Sequence, residues 1–389
     1  MSLATTCPNC QKGTPEIFYT MDGVPTNSCI LLSSREEAVN YPIGEIKLGF
    51  CDECGFIYNT VMDLKLTEYS GRYEETQGFS GIFSRFHRQL AEDVIEKYAL
   101  TDKNIVEIGC GKGEFLMLLC TDGKNQGIGY DPGYLPARNN KHDSDNVKFV
   151  TDFYSEKYRD KDADFVCCKM TLEHIPETGQ FITMVRNALV EDTNVFFMIP
   201  ESKRILETCA FEDIYYEHCS YFTSCSLSYL FGANNFDSIE TYTLYDDQYL
   251  AISASPRAFG QQSTSRDEIA EIKSLVKEFP AKFAAEKDHW KKQIEKRVNA
   301  DSKIVIWGSG SKGVSFLTTL ELTNEVSYAV DINPHRHGSF MPKTGHEIVS
   351  PEFLIGFKPD TVIVMNSIYV EEIREQLNTL GLNPEILSK

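Results

Sequence analysis

Asn104-Ile105-Val106-Glu107-Ile108-Gly109-Cys110-Gly111-Lys112-Gly113-Glu114-Phe115-Leu116 is the stretch that decides the fold. Its first five residues have the apolar content of a short buried strand. Glycines at 109, 111 and 113 then open backbone angles and close approaches that a side chain would forbid, and Phe115-Leu116 begin a helix. A second strand, Gly127-Ile128-Gly129-Tyr130, ends in Asp131, 22 residues after Gly109. Strand, glycine turn, helix, strand and terminal acid predict a doubly wound α/β sheet that takes a nucleoside beyond its strand ends. Further strands are predicted at 147–150, 163–168 and 194–200.

Upstream, Ile82, Phe83, Phe86, Leu90, Val94, Ile95 and Tyr98 recur at helical spacing over 79–100. Downstream, 260–300 reads as a polar helical connector whose apolar stripe, Ile269, Ile272, Leu275, Val276 and Phe279, is interrupted by Pro280. Beyond it a smaller Rossmann-like unit is predicted. It opens with Lys303-Ile-Val-Ile-Trp-Gly308-Ser-Gly310-Ser-Lys312-Gly313 and continues with strands at 326–331, 347–349 and 361–365. Four of the twelve cysteines form two C-x2-C knuckles, Cys7 with Cys10 and Cys51 with Cys54. Four thiolates so spaced close a tetrahedral Zn²⁺ site with no open position, which assigns the metal to folding. Ile30–Leu32 and Glu45–Phe50 are the expected strands of this zinc module, and the remaining cysteines read as small core hydrophobes. The domains are therefore drawn at 1–78, 79–259 and 260–389.

Composition narrows the function. Acidic residues outnumber basic ones 57 to 38, a net charge of −19 that disfavours a phosphate backbone as partner. No apolar run reaches the ~18 residues of a membrane span, and Met1-Ser2-Leu3-Ala4-Thr5-Thr6 lacks the regions of a signal peptide. A cytoplasmic protein acting on a small molecule is expected, without nucleic acid or membrane. The pattern does not specify an oligomeric state.

The two glycine turns differ chemically. Glu107 stands two residues before Gly109-x-Gly111-x-Gly113, and this resembles the motif of class I S-adenosylmethionine (SAM) methyltransferases. The resemblance places Asp131 on the ribose and Asp152 at the adenine amino group, and extends to Leu172-Glu173-His174-Ile175 after the fourth strand. Gly308-x-Gly310-x-x-Gly313 with Asp331 satisfies the dinucleotide fingerprint on paper. A chain with a SAM site has little need of a redox cofactor, so a structural or substrate-orienting role is favoured. A nicotinamide-dependent oxidoreductase using Gly308–Gly313 is the competing reading.

Between 213 and 223 a histidine, His218, follows Glu217 among the phenols of Tyr215, Tyr216 and Tyr221. Such a set offers a base and hydroxyls for a developing oxyanion. Tyr69-Ser-Gly-Arg-Tyr73-Glu74 is a second polar-aromatic cluster. The zinc knuckles, Tyr69-x-x-x-Tyr73-Glu74, the Glu107 turn, Tyr215-x-Glu217-His218-x-x-Tyr221-Phe222 and Gly308-x-x-x-Lys312-Gly313 resemble, in this order and over nearly the whole chain, the sugar C-methyltransferases of deoxysugar biosynthesis. Those enzymes methylate C3 of nucleoside-diphosphate-4-keto-deoxysugars. The resemblance implies that His218 is the general base, that Glu217 orients it, and that Tyr215 and Tyr73 line a nucleotide-sugar substrate. His174 competes as base or forms a wall, and Lys312 or Lys343 meets phosphate. O- or N-methylation of a sugar or other small molecule is the alternative.

Overall fold

The computed structural model of the chain describes residues 6–139, 146–159, 162–257 and 265–389. Seven strands form the central sheet: β1 (Asn104–Ile108), β2 (Gln126–Tyr130), β3 (Val147–Val150), β4 (Phe165–Lys169), β5 (Asn194–Pro200), β6 (Phe236–Leu244) and β7 (Tyr249–Pro256). Their spatial order is 3-2-1-4-5-7-6. The first five pair in parallel, and β7 runs antiparallel to both neighbours. This is the doubly wound order with an antiparallel hairpin on one edge. The predicted strands appear within a residue or two, and the hairpin was not foreseen. Its connection carries Tyr245, Asp246 and Asp247 at φ 55°, 55° and 56° without a glycine, so the usual turn signal is missing.

The helix Gly81–Tyr98 precedes β1; Ser80 caps it by accepting from the Phe83 amide, and His87, Leu90, Ala91 and Val94 are its buried residues. That i, i+3, i+4, i+7 spacing is one helical face, and it packs with Phe115, Leu116 and Leu119 of the helix after the glycine turn. Glu16–Pro25, Ile43–Phe50, Ile57–Asn59 and Ser220–Tyr221 make an antiparallel N-terminal sheet. Its edge strand thus comes from the segment that holds His218. Ile30–Leu32 does not form the expected strand. Ile30 bridges Tyr73 and Leu32 bridges Phe340, while the Leu31 amide donates to the Arg72 carbonyl, so this segment's backbone bonds go to loops.

The C-terminal sheet is parallel, ordered Ile348–Val349, Tyr328–Val330, Ile304–Trp307, Thr361–Val364 and Glu385–Ser388. Its last strand was not anticipated. Pro280 does not interrupt the preceding helix, which runs unbroken over Arg266–Val298. Packing on both sides of the proline outweighs the lost amide. Ile269, Ile272, Val276 and Phe279 bury against the N-terminal sheet, and Trp290 and Ile294 bury against the C-terminal unit. Fully buried Phe279 alone contributes about 2–3 kcal/mol. The boundary drawn at 259/260 lies outside the described residues. Among the described residues no helix is long and apolar enough to cross a membrane.

Candidate active site

Gly109 and Gly111, at φ 69° and 54°, turn the chain out of β1. A Cβ on Gly109 would stand 1.9 Å from Thr171 Oγ1, and one on Gly111 would stand 2.7 Å from Glu75 Oε1, so both positions need glycine for space as well as angle. Asp131 follows β2, its carboxylate accepting from the Gly111 amide at 2.9 Å and the Gly133 amide at 2.7 Å. Burial raises its pKa while those amides oppose the rise. Buried Lys112 pins the 69–75 loop over the turn, donating to the carbonyls of Tyr73 and Gly133 and pairing with Glu75 at 3.2 Å. Glu107 lies beneath, its Oε1 3.8 Å from Lys169 Nζ and its Oε2 buried without a hydrogen-bond partner. Burial pushes its carboxyl up to about 7. Asp152, beyond β3, accepts from Tyr158 at 2.6 Å and pairs with Lys157, which is the first cause of its lowered pKa.

The base cluster joins two loops. Leu172–His174 is a single 3-10 turn after β4. The Glu173 carbonyl accepts from the Cys219 amide at 2.9 Å and the Ile175 carbonyl from Ser220 Oγ at 2.7 Å. This lacing sets His174 and His218 with ring centroids 4.8 Å apart and nearly perpendicular. Tyr215 Oη lies 2.9 Å from His218 Nε2, and Tyr69 Oη lies 3.0 Å from His174 Nδ1. Burial lowers His174 to about 4 and, with His174 and Lys312 adding to it, holds His218 well below the ordinary imidazole value. Both rings are therefore neutral, as a base must be before it acts.

The implied contact between Glu217 and His218 is replaced by another. Glu217 Oε1 accepts from the Ser28 amide and hydroxyl, each at 2.9 Å, and from Tyr73 Oη at 3.2 Å. Adjacent residues of this turn send their side chains to different partners, so Glu217 organises the N-terminal loop and Tyr73. Its carboxyl is raised by burial to about 7, against the pull of Ser28 and Tyr73. The acid facing His218 is Glu173, with Oε1 4.0 Å from Nε2.

A cleft of about 500 Å³ runs from Met170 and Pro200, past Tyr215 and Cys29, to the second glycine turn and Asp331. Ser28 and Ser311, the first residue of the helix after that turn, share a 2.7 Å hydrogen bond. Lys312 and Arg204 both pair with Asp213. Asp331 is engaged within its own loop, accepting from the Ser309 amide at 3.0 Å and the Asn333 amide at 2.9 Å. It lies 3.9 Å from buried Arg336, which also donates to the Ser309 carbonyl at 3.1 Å. Asp331 is thus held as Asp131 is, by an amide of its glycine turn and by the amide two residues on. Lys343 is not among the residues that line this cleft, and its amide bonds the Ala38 carbonyl.

Cys7, Cys10, Cys51 and Cys54 converge with all four sulfurs within 4.8 Å of one another. The Cys7–Cys54 and Cys10–Cys51 separations are 3.7 and 3.6 Å. A tetrahedron with Zn–S of ~2.3 Å has edges of about 3.8 Å, so the donor set fits a zinc module. Asn9, which the spacing did not single out, approaches Cys54 Sγ at 3.6 Å and donates to the Ser226 carbonyl at 3.1 Å. A side chain reaching from a knuckle to the central domain leaves no periodic trace, and neither does Ser28. Lys112, between two motif glycines, was visible but without an assigned role.

A sheet ordered 3-2-1-4-5-7-6, a glycine turn with acids on both flanks and neutral imidazoles beside the strand ends define the class I methyltransferase fold. The chain is a methyltransferase: residues 82–241 match the family model described as a methyltransferase domain, and 261–382 match the C-methyltransferase C-terminal domain. It is 26% identical over 323 residues to the C-methyltransferase NovU of Streptomyces niveus, covering 78% of this chain and 76% of that one. Among solved structures, the 1,6-didemethyltoxoflavin-N1-methyltransferase of Burkholderia thailandensis aligns at a TM-score of 0.37 and 16% identity, over 46% of this chain and 81% of that one. The magnesium protoporphyrin IX methyltransferase of Synechocystis PCC 6803 aligns at 0.36 and 14%, over 47% and 90%. At those scores the likeness adds nothing to the strand order.

Proposed function

We propose that the chain is a SAM-dependent C-methyltransferase acting on a nucleotide-linked keto-deoxysugar, with a structural zinc on its four cysteines. The observation that carries this reading is the single cleft joining the first domain's strand ends to the second glycine turn, with Tyr215 in its wall and His218 bonded behind it. A cleft between two α/β units suits a ligand with a reactive end and an anchoring end. Bound SAM supplies an electrophilic methyl group, and Gly109, Gly111, Gly113, Asp131, Glu107 and Asp152 are the residues that would hold it. His218, neutral and desolvated, removes the proton α to the ketone. Tyr215, whose phenol burial keeps protonated, donates toward the enolate oxygen, while Tyr73, its hydroxyl hydrogen given to Glu217, lines the sugar. A phenol poised for an oxyanion favours attack from carbon over attack from a hydroxyl or amine. The match of residues 82–241 to a methyltransferase domain favours methyl transfer over the oxidoreductase reading.

The test is solvent exchange by NMR. The protein, S-adenosylhomocysteine and thymidine-diphosphate-4-keto-6-deoxyglucose are incubated in D₂O, and deuterium is expected at the carbon beside the ketone. His218→Ala should slow exchange ~10²–10⁴-fold, with S-adenosylhomocysteine affinity kept within about twofold. Exchange that survives in His218→Ala and fails in His174→Ala would move the base to His174. Absence of exchange by the intact protein on any 4-keto-6-deoxy nucleotide sugar overturns the carbanion reading.

A further inference from the structure

Glu173 is 1% exposed, and both of its carboxylate oxygens are buried without a hydrogen-bond partner. Such a carboxyl in a folded interior calls for a reason. Its Oε1 stands 4.0 Å from His218 Nε2. The charged or titratable groups that sense it come from every side: Cys168 on β4, Cys219 beside the histidine, Tyr69 on the covering loop, and His174 on its own turn. Burial raises its carboxyl, and only its own backbone amide, outside hydrogen-bond geometry, opposes that rise. Glu173, His174 and His218 lie close enough to share an ion. One ring nitrogen of each histidine is already engaged, His174 Nδ1 with Tyr69 and His218 Nε2 with Tyr215, and His174 also meets the Glu217 carbonyl. A proton fits this space better than a metal.

We infer that Glu173 is the positioning residue of the base, acting through His218 as the carboxylate that makes the desolvated imidazole basic enough to take the substrate's α-proton. The inference rests on the function proposed above. In the step, the Cα–H bond breaks and its electron pair passes into the enolate. The proton forms an N–H bond on His218, and the resulting imidazolium is neutralised by ionised Glu173, whose own charge does not change. The carbanion would then be the nucleophile for the methyl group that bound SAM supplies, with S-adenosylhomocysteine as the group left behind. Without an adjacent anion, two imidazoles packed face to edge in a dry site disfavour any added proton.

Glu173 is lifted by burial to about 8, so its carboxylate accumulates as pH rises through that value and activity rises with it. The sugar-independent test is NMR of the full-length chain labelled with ¹⁵N-histidine, with S-adenosylhomocysteine bound and His218 assigned through His218→Gln. In the unaltered protein the His218 ring nitrogens should shift with a midpoint near pH 8. In Glu173→Gln that step should vanish while the His87 and His346 signals stay in place, which also reports an intact fold. Should Glu173→Gln fail to fold, Glu173→Asp should keep the step with a moved midpoint. In the exchange assay, Glu173→Gln should lower kcat roughly 10- to 100-fold, leave KM for the sugar within threefold and remove the limb near pH 8. A His218 step that persists in Glu173→Gln, its absence from the unaltered protein, or more than one tightly held metal equivalent per chain overturns the inference. Failure of sugar exchange with the His218 step intact rejects the substrate and leaves the Glu173–His218 pairing standing.

Discussion

Glu107 was legible as a residue type two positions before a glycine turn. Its surroundings were not, because Lys169 reaches it from a strand distant in sequence and is itself bonded by His87 from a helix. The same holds across the site: His218, Glu217, Tyr215 and Tyr73 could be named from spacing. That Glu217 would bond Ser28 and leave Glu173 to face His218 depends on side-chain directions in a turn, which no sequence period encodes. The consequence for Glu107 is measurable. A carboxyl titrating near 4.3 in the unfolded chain and near 7 when folded is protonated preferentially in the native state. Its contribution to stability is whole below about pH 4.3, falls as pH rises through the window to about 7, and is constant above. Glu107→Gln lacks this loss. Its stability relative to the unaltered protein should therefore grow by about 1.4 kcal/mol per pH unit across that window, reaching up to ~4 kcal/mol. Urea unfolding at pH 5 and pH 8 checks this, and a difference independent of pH would remove the assignment.

The Arg266–Val298 helix is the element whose reading failed in part. Its apolar stripe up to Phe279 was visible, and Pro280 was read as a break. The stripe resumes at Trp290 and Ile294 with helical spacing, so continuity was written beyond the proline and a local rule was given too much weight. Proline removes the bond that residue 280 would make to the Val276 carbonyl. Tertiary burial on two units outweighs that loss. Pro280→Ala, restoring the amide, should stabilise the protein by about 1–3 kcal/mol without changing catalysis. Chemical denaturation decides the matter, and an unchanged or lowered midpoint would show that the helix has relaxed around the ring. The hairpin of β6 and β7 shows the converse: without a glycine in its turn, alternation had no punctuation to mark it.

At the scale of the whole molecule, the four-cysteine knuckles, His218 and the second glycine turn are tied by the N-terminal sheet. Ser28 lies between Glu217 and Ser311, and Tyr58 pairs with Ser220 two residues beyond His218. Structural metal binding is folding free energy. Removing the metal with a thiol-competing chelator, or changing Cys51→Ser, should thus abolish turnover although no cysteine of the cluster touches the cleft. Circular dichroism should register loss of strand signal before the central domain unfolds, and restored zinc should recover activity in the chelated protein alone. Activity that outlasts metal loss would disconnect module from site. The same edge pairing bears on how the chain is made. Strand Ile57–Asn59 emerges from the ribosome well ahead of Ser220–Tyr221, and at about 5–20 residues per second the wait is roughly 8–30 s. Through that interval the nascent sheet keeps an open edge, a template for unwanted pairing that Ser220–Tyr221 covers only after Tyr73, His174 and His218 have all been synthesised.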